Sequence, residues 1–177
     1  MDSSVTANAW LGALEASNQV VMLEPWFSNR SKSITKSPKL YLADTGLLCF
    51  LLNLFSGSDV SRSPQLGQIW ESFVFAELRK AGAARGGIWP IQFLRDRGLE
   101  VDFLIQRGQR MVLIEAKWSE HPDLRHVQNL AKAEAYLGKP YRCTKWVVCQ
   151  VPHRFPLDGG VEAIPVTDLG AALADLR

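Results

Sequence analysis

Two carboxylates and one amine on neighbouring strands could hold a divalent cation and activate a water beside it. Asp102, Glu115 and Lys117 have the types and the spacing for that chemistry. The stretch from Glu100 to Lys117 alternates polar and apolar residues, breaks at Arg107-Gly108, and resumes. Alternation with period two around a short glycine-containing turn predicts a β-hairpin. With Arg107-Gly108 as the two-residue loop, Gln106 pairs with Gln109 and Asp102 falls opposite Leu113. Glu115 is then the diagonal neighbour of Asp102 on one sheet face, with Cβ atoms about 7 Å apart. Lys117 shares that face one step further on. Charges flanked by Leu104 and Leu113 are costly to hold there without a cation and a task.

The surrounding elements must position these groups. Ser63-Pro64 is a helix start, and the apolar arc of Leu66, Ile69, Trp70 and Phe73 carries a helix to about Ala81, stopped by Gly82. Phe75 and Leu78 make the opposite side apolar as well, so Glu71 points into protein or a cleft. Glu77, a turn before Lys80, reads as a paired surface acid. A strand around Ile88 to Leu94 and a turn near Asp96-Arg-Gly98 precede the hairpin. Pro122 to Leu137 reads as a helix, and the nearly all-apolar Lys145 to Val151 as a strand covered on both faces. Val161 to Pro165 is a last short strand, and Thr167 caps a terminal helix. The order predicts an α/β fold, a mixed sheet flanked by helices.

Upstream, Ser3 or Ser4 caps a helix with Trp10, Leu11 and Leu14 as its stripe. An extended piece from Gln19 to Leu23 and another from Lys39 to Leu42 flank a basic segment holding Lys32 and Lys36. A helix followed by a basic two-stranded ribbon suits the latter half of a winged helix. Asp44 caps a short apolar helix to about Leu54, and the Ser-rich run 56–63 is the best internal boundary. Residues 1–60 thus read as a winged-helix remnant with a connecting helix, and 61–177 as the main domain. The Trp10 stripe has no earlier helix to pack on, so it is a candidate surface for self-association.

Composition sets bounds. With 47% hydrophobic residues and six tryptophans the chain can build a core, which excludes global disorder. A net charge of +2 does not by itself point to nucleic acid, although Lys32, Lys36, Lys39 and Arg95 are candidate phosphate contacts. Cys49, Cys143 and Cys149 lack any Cys-x-x-Cys spacing, which speaks against structural zinc and a disulfide framework. No signal peptide precedes them, and the most apolar run, Gly46 to Phe55, is about half of what a membrane span needs. The expectation is a cytoplasmic protein without membrane contact. His121, His126 and His153 match no zinc pattern. Trp89, Trp118 and Trp146 read as core aromatics rather than stacking platforms.

Glu71 on a first core helix, Asp102, and Glu115-x-Lys117 on a hairpin together resemble the restriction-endonuclease-like superfamily, PD-(D/E)xK. Lys36-Ser-Pro-Lys-Leu-Tyr-Leu-Ala-Asp-Thr-Gly-Leu-Leu48, Gly67-Gln-Ile-Trp-Glu-Ser-Phe-Val74, Glu100-Val-Asp-Phe-Leu-Ile105 and Ile114-Glu-Ala-Lys117 further resemble the C-terminal domain of prokaryotic AAA-type ATPases. In those proteins the domain follows an ATPase module and a winged helix. The resemblance implies a Mg²⁺- or Mn²⁺-dependent nuclease acting on DNA, with Glu71, Asp102, Glu115 and Lys117 catalytic and Asp102 and Glu115 the metal ligands. It also implies an ATPase or other protein partner. Gly138-Lys139 is followed by Pro140 and lacks the earlier glycine of a phosphate loop, so ATP chemistry is not expected from this chain. The chain reads as a truncated member beginning within the winged helix. The alternative is a non-catalytic module of the same fold that binds nucleic acid or protein.

Overall fold

Alternating apolar side chains build a six-stranded sheet whose two faces are both covered. The computed structural model of the protein describes residues 3–27, 37–84 and 90–174. The sheet comprises β3 (Ile91–Asp96), β4 (Leu99–Arg107), β5 (Arg110–Ala116), β6 (Arg142–Cys149), β7 (Phe155–Pro156) and β8 (Val161–Pro165), in the order β3-β4-β5-β6-β8-β7. β3, β4 and β5 are antiparallel, β6 and β8 run parallel to β5, and β7 is antiparallel to β8. The fold is the mixed α/β architecture that the order of elements predicts.

One face packs under α4 (Leu66–Ala83) and the short terminal helix α6 (Leu169–Ala174), through Val74, Phe75, Phe103, Ile105, Ile114 and Trp146. The other packs under α5 (Leu124–Leu137), through Leu104, Met111, Leu113, Val127, Leu130 and Val147. Leu104 and Ile105 belong to opposite clusters, as pleating requires. Trp146 is core, as expected; Trp89 lies outside the described residues.

Several local boundaries move for identifiable reasons. Ser63 does not cap α4. Its hydroxyl accepts from the Gln65 amide in a turn, and the helix starts two residues later than the Pro64 signal. The Ser-rich run contains a helical turn, α3 (Gly57–Arg62), closed by a capping box between Ser56 and Asp59. Thr167 sits in a 3₁₀ turn over Val166–Asp168 that has no side-chain cap. Asp44 does cap α2 (Thr45–Leu51), its Oδ1 accepting from the Leu47 amide at 2.7 Å. Asp44→Ala is expected to cost about 1 kcal/mol, read as a small shift of the urea midpoint.

The upstream helix α1 (Ser3–Ala16) leaves Trp10 71% exposed and Leu14 44% exposed. It leads into a ribbon of β1 (Val20–Leu23) and β2 (Lys39–Leu42), antiparallel with Leu23 opposite Lys39. The ribbon is tied to the main sheet. Phe93 donates to the Glu24 carbonyl at 3.1 Å, Trp26 donates to the Phe93 carbonyl at 2.7 Å, and the Trp26 indole reaches Gln106 at 2.9 Å. Leu23 and Tyr41 belong to the same apolar cluster as Phe75 and Phe103. Lys32 and Lys36 lie outside the described residues. No helix among the described residues is long and apolar enough to cross a membrane.

Candidate metal and phosphate site

The central hairpin closes one residue later than its sequence suggests. Arg107 pairs with Arg110 and Leu104 with Leu113, so the two-residue loop is Gly108-Gln109. Gly108 takes φ +61° at the first loop position, the place a II′ turn reserves for glycine. The preceding turn, Arg97-Gly98, has φ of +46° and +84°, positive at both positions as in a I′ turn. Sliding the loop by one residue carries the pairing past Phe103↔Ile114 to bring Asp102 beside Glu115 rather than opposite Leu113. The two acids are near neighbours, closer than the diagonal placement.

A β-bulge sets the direction of Asp102. The β3–β4 register shifts between Gln92↔Leu104 and Leu94↔Val101, so Asp102 and Phe103 together face Phe93. Val101 and Leu104 both pack under α5, whereas Phe103 packs under α4. A bulge re-aims a side chain in this way. Asp102 turns to the α4 side, its Oδ1 3.8 Å from the Lys39 ammonium, while its Oδ2 accepts from the Ala116 amide at 2.9 Å. Glu115 follows Leu113 toward α5, where Asn129 favours its ionised form. The acids therefore approach from different sides, not from one shared face, and meet at a cavity at the end of the hairpin. Its volume is about 410 Å³, and Gln68, Glu71, Asp102, Glu115, Lys117 and Trp118 line it.

All four residues proposed for catalysis are thus brought together. The bonds within the site were not anticipated. Lys39 reaches Glu71 at 3.1 Å and Glu100 at 3.0 Å, and the Tyr41 hydroxyl donates to the same Glu71 oxygen. Arg95 is engaged with Glu100 at 2.7 and 3.1 Å and lies over the Phe93 ring. The Glu77–Lys80 surface pair forms as expected, at 2.6 Å. His126 lies in the first turn of α5, its Nδ1 3.2 Å from Asp123. Burial, and then the charge of Lys117, hold its imidazole below the usual value despite Asp123. Trp118 is 37% exposed at the cavity mouth, edge-on to Trp70 with centroids 5.2 Å apart, and is not a core residue. Spacing could have flagged Tyr41 and Lys39, two residues apart on one strand. Nothing local tied that strand to Glu71.

Electrostatics mark the two acids as a strained pair. Burial, then Glu71, push the Asp102 carboxyl up to about 6, against the Ala116 amide and Lys39. Burial, then Asp102, push Glu115 up to about 8, against Lys117 and Asn129. Glu115 Oε2 is buried without a hydrogen-bond partner. Burial alone would lower Lys39, but Glu71, Glu100 and Asp102 outweigh it and raise it. Burial and Glu71 likewise raise the Tyr41 hydroxyl, keeping it a donor. Among the described residues no three His, Cys, Asp or Glu side chains form a metal-holding group. Two carboxylates, one with an orphaned oxygen, are the donor type that would suit a hard divalent cation.

Comparison with known proteins identifies relatives of undefined activity. Residues 66–169 match a family described as "Domain of unknown function (DUF4143)", and residues 2–58 match a second, "Domain of unknown function (DUF8612)". "Uncharacterized protein Mb2031c" of Mycobacterium bovis and "Uncharacterized protein Rv2008c" of Mycobacterium tuberculosis are each 31% identical over 168 residues, covering 94% of this chain. The chain spans 36% of the length of these relatives. A solved complex of Thermococcus gammatolerans McrB AAA+ hexamers with bound McrC overlays with a TM-score of 0.41 at 8% identity, covering 97% of this chain and 66% of that one. A likeness that low carries no argument about fold or function. The match over residues 66–169, more than half of the sequence, shows that the chain belongs to the DUF4143 family.

Proposed function

We propose that this protein is a divalent-metal-dependent nuclease-like domain that hydrolyses phosphodiester bonds in DNA, working beside an AAA-type ATPase module. The observation that carries the reading is the Glu115 carboxylate, buried beside Asp102 with one oxygen unpartnered. A buried carboxylate pair carries excess negative charge, and a proton or a cation must offset it. Mg²⁺ or Mn²⁺, when bound, would supply Lewis acidity and lower the pKa of a coordinated water.

The chain's own residues do the positioning. Asp102 and Glu115 would hold the cation, Asp102 being oriented by the Ala116 amide. Lys117 lines the cavity next to Glu115; as an ammonium it would hold the attacking water and face the phosphate, and as a neutral amine it would instead take the water's proton at Nζ. Glu71, held by Tyr41 and Lys39, accepts a hydrogen bond from water in the cavity. Arg95, half exposed, is the candidate contact to a flanking phosphate, and reaching one requires sharing Glu100. The AAA-type partner rests on the resemblance of the Lys36–Leu48, Gly67–Val74 and Glu100–Ile105 segments.

Titration with Mn²⁺ tests the site. Wild type is expected to bind in the millimolar range, as a two-carboxylate site should, and Glu115→Ala to lose binding. Equal binding by both proteins would remove Glu115 from any metal site. One observation favours the second reading, a non-catalytic binding module: Lys39 already places a fixed positive charge against Glu71 and Asp102. On that reading DNA or protein binding persists in Glu115→Ala without divalent dependence.

A further inference from the structure

Lys39 does not stand in an exposed basic patch. Its side chain is 16% exposed, and its ammonium sits among Glu71 Oε1 (3.1 Å), Glu100 Oε1 (3.0 Å) and Asp102 Oδ1 (3.8 Å). It comes from β2, a strand outside the six-stranded sheet. Tyr41, the next residue on that strand face, donates to the Glu71 oxygen that Lys39 also holds. The ribbon that delivers both is pinned to the sheet through Trp26, Phe93 and Gln106. A fixed ammonium beside three carboxylates does part of what a bound cation would do. It also repels a second cation arriving at Asp102, because the interaction between charges a few ångströms apart stays strong where water is scarce.

We propose that Lys39 is the resident counter-cation of the acidic cavity, so that a divalent ion binds Asp102 in competition with it. The β1–β2 ribbon thereby sets the metal affinity of the hairpin site. This deepens the metal-site reading above and rests on it. It assigns Lys39 as a positioning residue: it orients Glu71 and Asp102 and governs what else they bind. The physical consequence is linkage. Whatever draws Lys39 away from Asp102 strengthens cation binding, and a bound cation loosens the hold of Lys39 on the acids by the same factor.

The experiment measures Mn²⁺ affinity by electron paramagnetic resonance and calorimetry on the full chain, in wild type, Lys39→Met, Lys39→Gln and Lys39→Arg. Thermal melting confirms that each is folded. Removing the charge in Lys39→Met or Lys39→Gln is expected to tighten Mn²⁺ binding roughly tenfold or more. Lys39→Arg, which restores it, should stay near wild type. Lys39→Gln keeps a donor for Glu71 and decides the matter if Lys39→Met does not fold. Affinity that is unchanged or weaker in a folded neutral variant overturns the role of Lys39 and leaves the metal site standing. If neither wild type nor the neutral variants bind Mn²⁺ at millimolar concentration, the metal site and the competition both fall.

Discussion

Lys117→Ala is expected to lower divalent-dependent nicking of supercoiled DNA by at least about 100-fold, with Mn²⁺ affinity unchanged or slightly tighter. A positioned acid–base or cationic group contributes roughly 10²- to 10⁴-fold to such a step. The backbone of Lys117 is fixed, since its amide donates to the Val148 carbonyl at 2.9 Å just past the end of β5. Its charge already lowers the cost of ionising Glu115. Removing that charge ends its direct repulsion of a cation at Asp102 and Glu115, which offsets the harder ionisation of Glu115. Loss of cleavage with retained metal binding would place Lys117 in the chemical step rather than in assembly of the site. Nicking that persists in the variant would assign the activity to other groups.

Glu115→Gln is expected to stabilise the metal-free protein at pH 8.5 by roughly 4–5 kcal/mol and to leave it unchanged near pH 4. Burial and mutual repulsion raise both carboxyls in the folded state, Asp102 to about 6 and Glu115 to about 8. The unfolded chain releases those protons near the ordinary carboxylate value, so the folded state binds more protons above it. The contribution of this pair to stability is then greatest below about pH 4.5 and is lost as pH rises through about 6 and on through about 8. Glutamine carries no charge at any pH, so the upper part of that decline should flatten. Urea unfolding in chelator, followed by tryptophan fluorescence, reads both effects. Mn²⁺ should restore wild type at pH 8.5 and have little effect on the variant. A pH slope identical in both proteins would mean that Glu115 titrates like a solvated acid.

What was legible from residues alone, and what was not, divides along a physical line. The apolar runs Phe103–Ile105 and Met111–Ile114, separated by the polar Gln106–Arg110, announce two paired strands covered on both faces. The amphipathic α4 and α5 and the apolar β6 follow from the same argument. Loop register was not legible. Arg107-Gly108 and Gly108-Gln109 are both acceptable two-residue turns, and choosing between them depends on how the strand pair packs between α4 and α5. The bulge opposite Phe93 is equally silent, since it reflects how β3 and β4 accommodate a fixed hydrophobic layer.

Residue chemistry therefore named Asp102, Glu115 and Lys117, because carboxylates and an amine amid apolar neighbours are expensive to keep and stand out in a string of letters; Glu71 joined them through the family resemblance. Their convergence could not be read there. Lys39, Tyr41 and Asn129 touch the acids from a separate ribbon and from the opposite helix, across 32, 30 and 29 positions of chain in bonds to Glu71 and the Glu100 carbonyl. Such partners are chosen by packing, which has no local signature. Short-range periodicity specifies which face a side chain takes; the docking of elements specifies which charges then share a low-dielectric space, and that is where the chemistry of this site is set.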